Sequence, residues 1–564
     1  MYRFTLSMLL TAVTLAPSNS PASDVCASSF TLAPSTEFPI SYWWGPPAKY
    51  NTLKHYQTIK DAHFTFAGIS REYYSPADNI KKLELSEQVG LKALILDPRF
   101  YPRQTLTPNW KNEVNHAIKD YSNLEALYGY YVSDEPGHGE FKSIRLMNDH
   151  IYSQDSKHLA YTNLHPIYAG LHHLETASYE KYVRDYMKIV EPAVLSYDHY
   201  TIIRKTKNYF SNLSIIRTNA LQNNVPAWNI IQGPGWAGRD NPTMSELRFQ
   251  VYTSLTYGIK GLMYFFYWPL PMKDNPNYKV GLVTNDGTPT PQLKLVSDLN
   301  QQVQNLAPYI MDLESTGVYH TGLLPENTMS LPQGFPIEFS QDQPLVIGDF
   351  LNSSGEQYVF ITNRDMTKDQ LVRLKVITPV SHLDYINAED GNTYPLTLKS
   401  DGTEINLAPG EGKLLKVIRS NQSKLDYKFD VNDNSEGWSK TQSLKELQIA
   451  NGLLKAKISH RDPFFFLDHL KIPGNQYNVI KIKMKLPKGT IGQLRWTTKA
   501  EPIFSSNKSL KFETRGDDQF HEYTIPVGSI SSWSEQEIRS IWFYPSLGHS
   551  AVGEVMEIDY FHGE

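Results

Sequence analysis

The feature that most constrains this chain is an alternation of short apolar runs with longer helix-period segments between about residues 38 and 313. Eight runs rich in β-branched and aromatic residues predict strands: 38–44, 63–69, 91–97, 127–134, 158–164, 193–200, 226–232 and 261–268. A helical pattern follows each, as at 79–90, where Gly90 is placed to end the helix. Eight such units favour an α/β fold of the closed (β/α)8 TIM-barrel type, because open doubly wound sheets usually stop at about five or six strands.

After the barrel the apolar period changes to two, which is typical of antiparallel strands. We expect the barrel domain to span residues 23–314, a small β-sandwich to span 315–420 and a jelly-roll-like β-sandwich to span 425–564. Four tryptophans of the last domain are candidates for stacking on sugars, with burial in its core as the alternative: Trp438, Trp496, Trp533 and Trp542. The strand around His521 and the closing stretch 557–560 resemble carbohydrate-binding-like β-sandwiches appended to secreted polysaccharide-degrading enzymes.

The first 22 residues have the pattern of a secretory signal peptide. Arg3 precedes an apolar stretch from Phe4 to Ala16, and small residues follow at 20–22. We therefore expect a secreted or periplasmic protein, and the apolar stretch is too short to span a bilayer. Cys26 is the only cysteine, so we expect neither an internal disulfide nor a thiolate metal site. A lipidated Cys26 is the alternative reading of this region.

Charge and motif content exclude several functional classes. With 54 Lys plus Arg against 59 Asp plus Glu, the chain lacks the basic excess of a nucleic-acid-binding protein. No Gly-rich phosphate loop follows the first strand, where Trp44 to Pro47 stand instead, so we expect no nucleotide cofactor. The histidines show no metal-binding spacing, and we expect no metal.

Polar and aromatic residues stand at or just after the carboxyl ends of the predicted strands, where barrel enzymes place their chemistry. They are Trp43, Trp44, Asp97, Arg99, Asp134, Glu135, Asn163, His165, Asp198, His199, Tyr200, Asn229, Gln232, Trp236 and Trp268. Together they predict a cup with central carboxylates and aromatic platforms, which suits a neutral or modestly charged sugar as substrate. The structural alternative is that such acids cap helices or pair with arginines, and Asp97 is expected to hold Arg99 or a substrate hydroxyl.

Glu135 is the predicted general acid. Cleavage of a glycosidic bond needs a proton for the departing oxygen and stabilisation of a cationic sugar, usually from two carboxyl groups. Glu135 follows the tyrosine-rich stretch 128–131, so we expect apolar surroundings to keep it protonated near neutrality.

The segments YGYYVSDEP, LSYDHY, PAWNIIQ and SELRFQVYTSLTYGIKGLMYF resemble the barrel of secreted glycoside hydrolases broadly akin to clan A. The resemblance covers about residues 38–313 and implies a second catalytic glutamate at the end of strand seven. This chain has Gln232 there. Glu246 comes later, where we expect it to serve as a favourable charge at a helix N-terminus.

Two mechanisms would allow hydrolysis without a glutamate at the end of strand seven. The strand-four Asp-Glu-Pro motif is similar to that of glycoside hydrolase family 123, which implies that the substrate's own 2-acetamido oxygen attacks, Asp134 orients that amide and Glu135 protonates the leaving group. Alternatively, Asp198 or Asp97 supplies the second carboxylate, acting on a neutral or sulfated polysaccharide. Two further classes stay open: a non-catalytic carbohydrate-binding protein that uses Trp43, Trp44, Trp236 and Trp268, and a polysaccharide lyase.

Overall fold

The computed structural model describes residues 37–564 except positions 71, 73, 205–206, 271–279, 333–334, 341, 377–379, 398–401, 420–423, 431–434, 441–442, 468–469, 490, 503–504 and 506. The predicted signal peptide and Cys26 lie outside the described residues. A parallel eight-stranded barrel comes first, and antiparallel sheets follow it. This arrangement confirms the predicted fold class.

The barrel sheet has the order β1-β8-β7-β6-β5-β4-β3-β2, with every recorded pair parallel. Its strands are β1 (Ile40–Tyr42), β2 (Phe66–Ala67), β3 (Lys92–Leu96), β4 (Leu127–Asp134), β5 (Leu159–Leu164), β6 (Leu195–Asp198), β7 (Ala227–Gln232) and β8 (Gly261–Phe265). The Thr65 amide donates to the Ile40 carbonyl at 2.9 Å, and Gly45 and Ser70 form a parallel bridge. These contacts join β1 to β2, so the sheet closes on itself.

Helices surround the barrel. They are α1 (Leu53–Asp61), α2 (Pro76–Gln88), α3 (Trp110–Tyr121), α4 (Phe141–Gln154), α5 (Leu171–Leu174), α6 (Tyr179–Val190), α7 (Thr201–Arg204), α8 (Tyr209–Gln222), α9 (Met244–Thr256) and α10 (Pro291–Ile310). Short 3₁₀ segments lie at Ala48–Tyr50, Pro98–Phe100, Pro102–Leu106 and His138–Glu140. In the described part of the chain, no helix is both long enough and apolar enough to cross a membrane.

Local signals explain where individual elements begin and how closely they approach. The helix expected at 79–90 starts three residues earlier, because Ser75 accepts the Asp78 amide hydrogen and the Asp78 carboxylate accepts that of Ser75. Gly90 follows its end with a φ of 70°. In β4, a Cβ on Gly129 would lie 2.3 Å from the Leu159 carbonyl oxygen, so only glycine allows β4 and β5 to approach this closely.

The remaining chain forms two antiparallel β regions. The first contains β9 (Leu313–His320), β10 (Ile337–Phe339), β11 (Leu345–Asn352), β12 (Gln357–Asn363), β13 (Gln370–Val376), β14 (Val380–Ile386), β15 (Thr393–Leu396), β16 (Thr403–Leu407) and β17 (Gly412–Arg419). Its sheets have the orders β15-β14-β17-β12-β11-β9 and β10-β13-β16. Side chains such as Ile347, Val359 and Leu374 fill the core of this region.

The second region contains β18 (Asp426–Tyr427), β19 (Ser439–Lys440), β20 (Leu444–Ala450), β21 (Leu453–Ile458), β22 (Phe465–Leu467), β23 (Ile472–Pro473), β24 (Ile480–Lys485), β25 (Ile491–Thr498), β26 (Ser509–Glu513), β27 (Phe520–Ile525), α11 (Ser531–Ser534), β28 (Glu537–Tyr544) and β29 (Val555–Gly563), with 3₁₀ segments at Gly474–Gln476 and Val527–Ser529. Its sheets run β20-β21-β29-β24-β27, with β18 on β29, and β19-β22-β28-β25-β26, with β23 on β28. Trp438, Trp496 and Trp533 lie buried in its core, so these three do not stack on sugars.

The start of α9 bears out the expectation for Glu246. The Glu246 carboxylate accepts the Thr243 amide hydrogen at 2.8 Å, and the Thr243 hydroxyl accepts that of Glu246 at 3.3 Å. This reciprocal pair satisfies two amides that a helix start leaves without intrahelical partners. Glu246 therefore stabilises a helix terminus, as predicted.

Replacing Thr243 by alanine removes one half of this pair. We expect Thr243→Ala to destabilise the barrel by about 1 kcal/mol and to lower the midpoint of its thermal transition by about 2 °C. Thr243→Ser keeps the hydroxyl and serves as the matched control, with a midpoint close to the parent protein. Calorimetry of both variants measures the difference, and equal midpoints for alanine and serine would contradict a capping role.

Candidate active site

The carboxyl end of β4 carries two consecutive acids in a constrained turn. Asp134 is the last residue of the strand, and Glu135 follows with a φ of 48°, in the left-handed region that non-glycine residues seldom adopt. The Glu135 amide donates to the Asn163 carbonyl at 2.8 Å, and the Tyr182 hydroxyl donates to the Pro136 carbonyl at 2.7 Å. These bonds hold the turn in its strained conformation.

One amide group connects the acids of two strands. The Asn163 Nδ2 donates to Oδ1 of Asp134 at 3.2 Å and to Oδ1 of Asp198 at 3.3 Å. The Ser196 hydroxyl donates to the Asn163 side-chain oxygen at 3.1 Å, and the Tyr161 hydroxyl lies 2.8 Å from Ser196 Oγ. Because Ser196 occupies the amide oxygen, the amide nitrogen faces the two carboxyl groups.

Glu135 does not lie in apolar surroundings, and this expectation is wrong. Its side chain is 41% exposed, and its Oε1 lies 3.4 Å from Nδ1 of His165. The His165 ring in turn packs beside the rings of His173 and Tyr182. Polar contact with an imidazole, rather than burial among tyrosines, defines the environment of Glu135.

Asp134 and Asp198 are the acids whose protonation the site alters. Asp134, like Glu135, is an exposed residue that opens into the cup, and the protein around it displaces part of its hydration. This desolvation, together with the neighbouring Glu135 charge, raises the pKa of Asp134 to about 7. Asp198 is only 4% exposed, and burial with the charges of Glu135 and Asp134 raises its pKa well above the usual value. Hydrogen bonds from Asn163 and Tyr200 oppose the rise at Asp198.

Aromatic rings form one wall of the cup and its floor. In the wall, Phe265 packs against Trp44, Tyr200 and Trp236 with centroids 4.9–5.2 Å apart. Trp44, Tyr200 and Phe265 are partly exposed, whereas Trp236 is nearly buried behind them. Trp43 lies in the barrel interior with its ring 5.9 Å from that of Tyr131. The cup therefore presents aromatic faces beside its acidic centre.

Asp97 and Arg99 form a structural pair. Arg99 Nη2 lies 2.7 Å from Asp97 Oδ2 and 2.8 Å from Asp120 Oδ2, and the Tyr121 hydroxyl donates to Asp97 at 2.7 Å. Asp97 is almost completely buried by these contacts. The prediction that Asp97 holds Arg99 is confirmed, and these contacts occupy the Asp97 carboxylate.

Four further predicted contact residues, His199, Asn229, Gln232 and Trp268, are buried, and the structure does not bring them to the surface of the cup. The Nδ1–H of His199 donates to the Asn212 side-chain oxygen at 2.8 Å, and the Asn229 amide donates to the Ser254 hydroxyl. Gln232 accepts the Ile203 amide hydrogen, and its own side-chain amide donates to the Pro234 carbonyl. Trp268 is 0% exposed. Burial also lowers the pKa of His199 to about 4.

Position in the fold explains the burial of Asn229 and Trp268. Asn229 alternates along β7 with Trp228 and Ile230, which point into the barrel, so it faces the helices. Trp268 lies past the end of β8 and packs against Tyr50 and His55. A position at or after a strand end does not by itself direct a side chain into the cup.

Sequence reasoning missed two residues of the cup. Phe265 ends β8 and joins the aromatic wall. Tyr168 lies close to Asp198 and Glu135. Burial raises the pKa of the Tyr168 hydroxyl most, and the charges of the two acids raise it further. Tyr168 also accepts the Tyr200 amide hydrogen at 3.4 Å. It stands in the loop after β5, three residues beyond His165, and only that position hinted at a role. Among the described residues, no three His, Cys, Asp or Glu side chains are grouped to hold a metal ion.

No protein-family model matches the chain, and no curated protein does. Solved structures match it at low similarity. The GH42 β-galactosidase Gan42B from G. stearothermophilus is 9% identical with a TM-score of 0.44, over 68% of this chain and 99% of that protein. An Anoxybacillus α-amylase is 11% identical with a TM-score of 0.43, over 68% of this chain and 99% of that protein. The β-galactosidase of the psychrophilic Marinomonas ef1 is 11% identical with a TM-score of 0.38, over 50% of this chain and 62% of that protein.

The crowding of carboxyl groups predicts a pH-dependent cost to stability. Because the pKa of Asp198 is raised in the folded protein, the folded state holds this proton more tightly than the unfolded chain does. The carboxyl group therefore destabilises the fold increasingly as the pH rises above its unfolded pKa of ~3.9. We expect Asp198→Asn to raise the thermal midpoint by about 3 °C at pH 8, and the gain to shrink towards pH 4.

The exposed Asp369 provides the control, since it lies between β12 and β13, outside the barrel sheet, and Asp369→Asn also removes one negative charge. Thermal melts of both variants between pH 4 and pH 8 make the comparison. An Asp198→Asn midpoint that follows the control at every pH would contradict a destabilising carboxyl group at this site.

Proposed function

We propose that this protein is an exported glycoside hydrolase in which Glu135 is the general acid and Asp134 orients the 2-acetamido group of the substrate. The observation that carries the proposal is the pair of adjacent acids at the end of β4, opening into an aromatic-walled cup. Cleavage of a glycosidic bond requires two acidic groups with different roles, and an aromatic surface can hold the sugar ring beside them. The structural neighbours named above include glycosidases, which agrees with this proposal without specifying a substrate.

The two acids divide the work by their surroundings. Glu135, exposed and in contact with His165, is free to reach a glycosidic oxygen and to give it a proton. Asp134 is held by Asn163, so its oxygens have a fixed direction in the cup. A carboxylate in that position accepts the N–H of a 2-acetamido group and stabilises the positive charge that develops when the acetamido oxygen attacks the anomeric carbon.

Asp198 is less suited to be the second catalytic carboxylate. It is almost fully buried beneath Asn163, and its raised pKa favours the neutral acid, which is neither a nucleophile nor a base. The alternative two-carboxylate mechanism needs Asp198 to be ionised and within reach of the sugar. Its burial therefore favours the substrate-assisted route.

The first test concerns Glu135. We expect Glu135→Gln to lower kcat by about 10³-fold on a 4-methylumbelliferyl 2-acetamido glycoside, whose leaving group needs a proton. On the 2,4-dinitrophenyl glycoside, whose leaving group needs little protonation, the loss should be much smaller. Substrate binding should persist in both cases. Equal turnover by the variant and the parent would contradict hydrolysis through Glu135 and favour a carbohydrate-binding protein.

The mechanism is tested with the other two acids. Asp134→Asn should lower kcat strongly on 2-acetamido glycosides, whereas Asp198→Asn should retain it within about tenfold. If Asp198 were the nucleophile, its variant would lose about 10⁴-fold or more and would be rescued by azide. Activity confined to 2-hydroxy glycosides would also contradict the substrate-assisted route.

The pKa of Asp134 predicts the pH profile. Asp134 must be ionised to receive the acetamido N–H, and Glu135 must be protonated to act as the acid, so kcat/KM should follow a bell-shaped pH profile whose rising limb reports Asp134 with an apparent pKa of about 7. Asn163→Ala removes a hydrogen bond that lowers this pKa, so the rising limb should move to higher pH. The measurement is kcat/KM from pH 4 to pH 9 for both proteins, and an unmoved limb would contradict the assignment to Asp134.

A further inference from the structure

The outer surface of one C-terminal sheet carries a cluster of four aromatic side chains. Phe464 stacks on Trp542 with centroids 4.6 Å apart and an interplanar angle of 20°, and it lies 4.8 Å from Tyr544. Phe466 lies 6.3 Å from Phe464 and opposite Trp542 in the β22–β28 register. We call these four residues the aromatic face.

The aromatic face is on the side of the sheet away from the core. Phe465 and Phe543, which alternate with these residues along β22 and β28, belong to the buried core with Trp438 and Trp496. Phe464, Phe466 and Trp542 are each partly open to solvent. The outward positions of a sandwich are normally polar, so a contiguous aromatic cluster there is a marker of an interaction site.

Basic and amide groups border the aromatic face on β25 and β26. Arg495 stands opposite Trp542 in the sheet, its guanidinium lies 5.0 Å over the Tyr544 ring, and its Nε donates to Gln493 at 3.0 Å. Lys511 is exposed and opposite Gln493 on the next strand. This border offers hydrogen-bond donors and positive charge next to flat apolar rings.

The charge at this border is not neutralised as it is elsewhere in the domain. Lys508 and Arg539 are paired with Glu501 and Glu537. By contrast, the contacts recorded for Arg495 among the described residues are the Gln493 amide and the Tyr544 ring. The acid whose charge acts on Tyr544 is Asp462, which already accepts the Gly548 amide hydrogen and lies 3.5 Å from Arg461. An anionic ligand group would complement this border.

We propose that the aromatic face binds an acidic polysaccharide, with sugar rings stacked on Phe464 and Trp542 and a carboxylate or sulfate group held by Arg495 and Lys511. Flat rings beside hydrogen-bond donors match the apolar face and polar edge of a sugar, and the guanidinium matches an oxyanion. The inference rests on the proposed function in that the bound polymer is the one the barrel cleaves. This second site would keep the enzyme on an extended substrate.

The test measures binding in the full-length Glu135→Gln protein, so that hydrolysis does not consume the ligand. Native gels containing chondroitin sulfate or hyaluronan, acidic polymers that carry 2-acetamido groups, report retardation of the protein, and uncharged dextran is the neutral reference. We expect retardation by at least one acidic polymer and not by dextran. Trp542→Ala and Arg495→Ala should each raise the dissociation constant by about tenfold, and added salt should weaken binding.

Phe520→Ala is the matched control, because Phe520 is a partly exposed aromatic residue on the outer surface of the opposite sheet of the same domain. It should bind as the parent does, and unchanged thermal midpoints verify that all variants are folded. Equal binding by Trp542→Ala and Phe520→Ala would overturn the proposal, as would equal retardation by dextran or no retardation by any acidic polymer. Since turnover is measured separately, failure of the proposed function would leave these binding results interpretable.

Discussion

The site depends on how three carboxyl groups are accommodated at one end of the barrel. The Glu135 charge acts on both Asp134 and Asp198, the Asp134 charge acts on Asp198, and both aspartates bond to the same Asn163 amide nitrogen. Charges of one sign in a poorly hydrated space favour the neutral acids. The raised pKa values of Asp134 and Asp198 therefore lower the stability of the folded barrel when these groups are ionised.

The parallel register of β4, β5 and β6 places these side chains next to one another. Asp134 on β4 is opposite Asn163 on β5, and Asn163 is opposite Ser196 on β6. Side chains at one level of adjacent parallel strands point the same way, so the hydrogen bonds from Ser196 through Asn163 to the acids follow from the register. The large apolar core beneath, shared by the strands and helices, fixes that register.

The sequence predicted those parts of the fold and site that depend on local pattern. The eight strands follow from apolar runs, the Asp97–Arg99 pair from adjacency, and the cap at Glu246 from its place in the first turn of α9. The buried residues His199 and Asn229 depend on contacts with helices elsewhere in the chain. His199 meets Asn212 of α8, and Asn229 meets Ser254 of α9, so no strand-end pattern could identify them as structural.

The environment of Glu135 was mispredicted because it was inferred from the tyrosine-rich stretch before it, whereas the backbone changes direction at Glu135 itself. In a regular strand, successive side chains point to opposite faces, which would place only one of Asp134 and Glu135 in the cup. The left-handed backbone at Glu135 ends that alternation and turns its side chain towards His165. A non-glycine residue in this conformation costs about 1 kcal/mol or more, and the surrounding hydrogen bonds sustain it. The strained turn is thus what allows two consecutive acids to share one cup while meeting different surroundings.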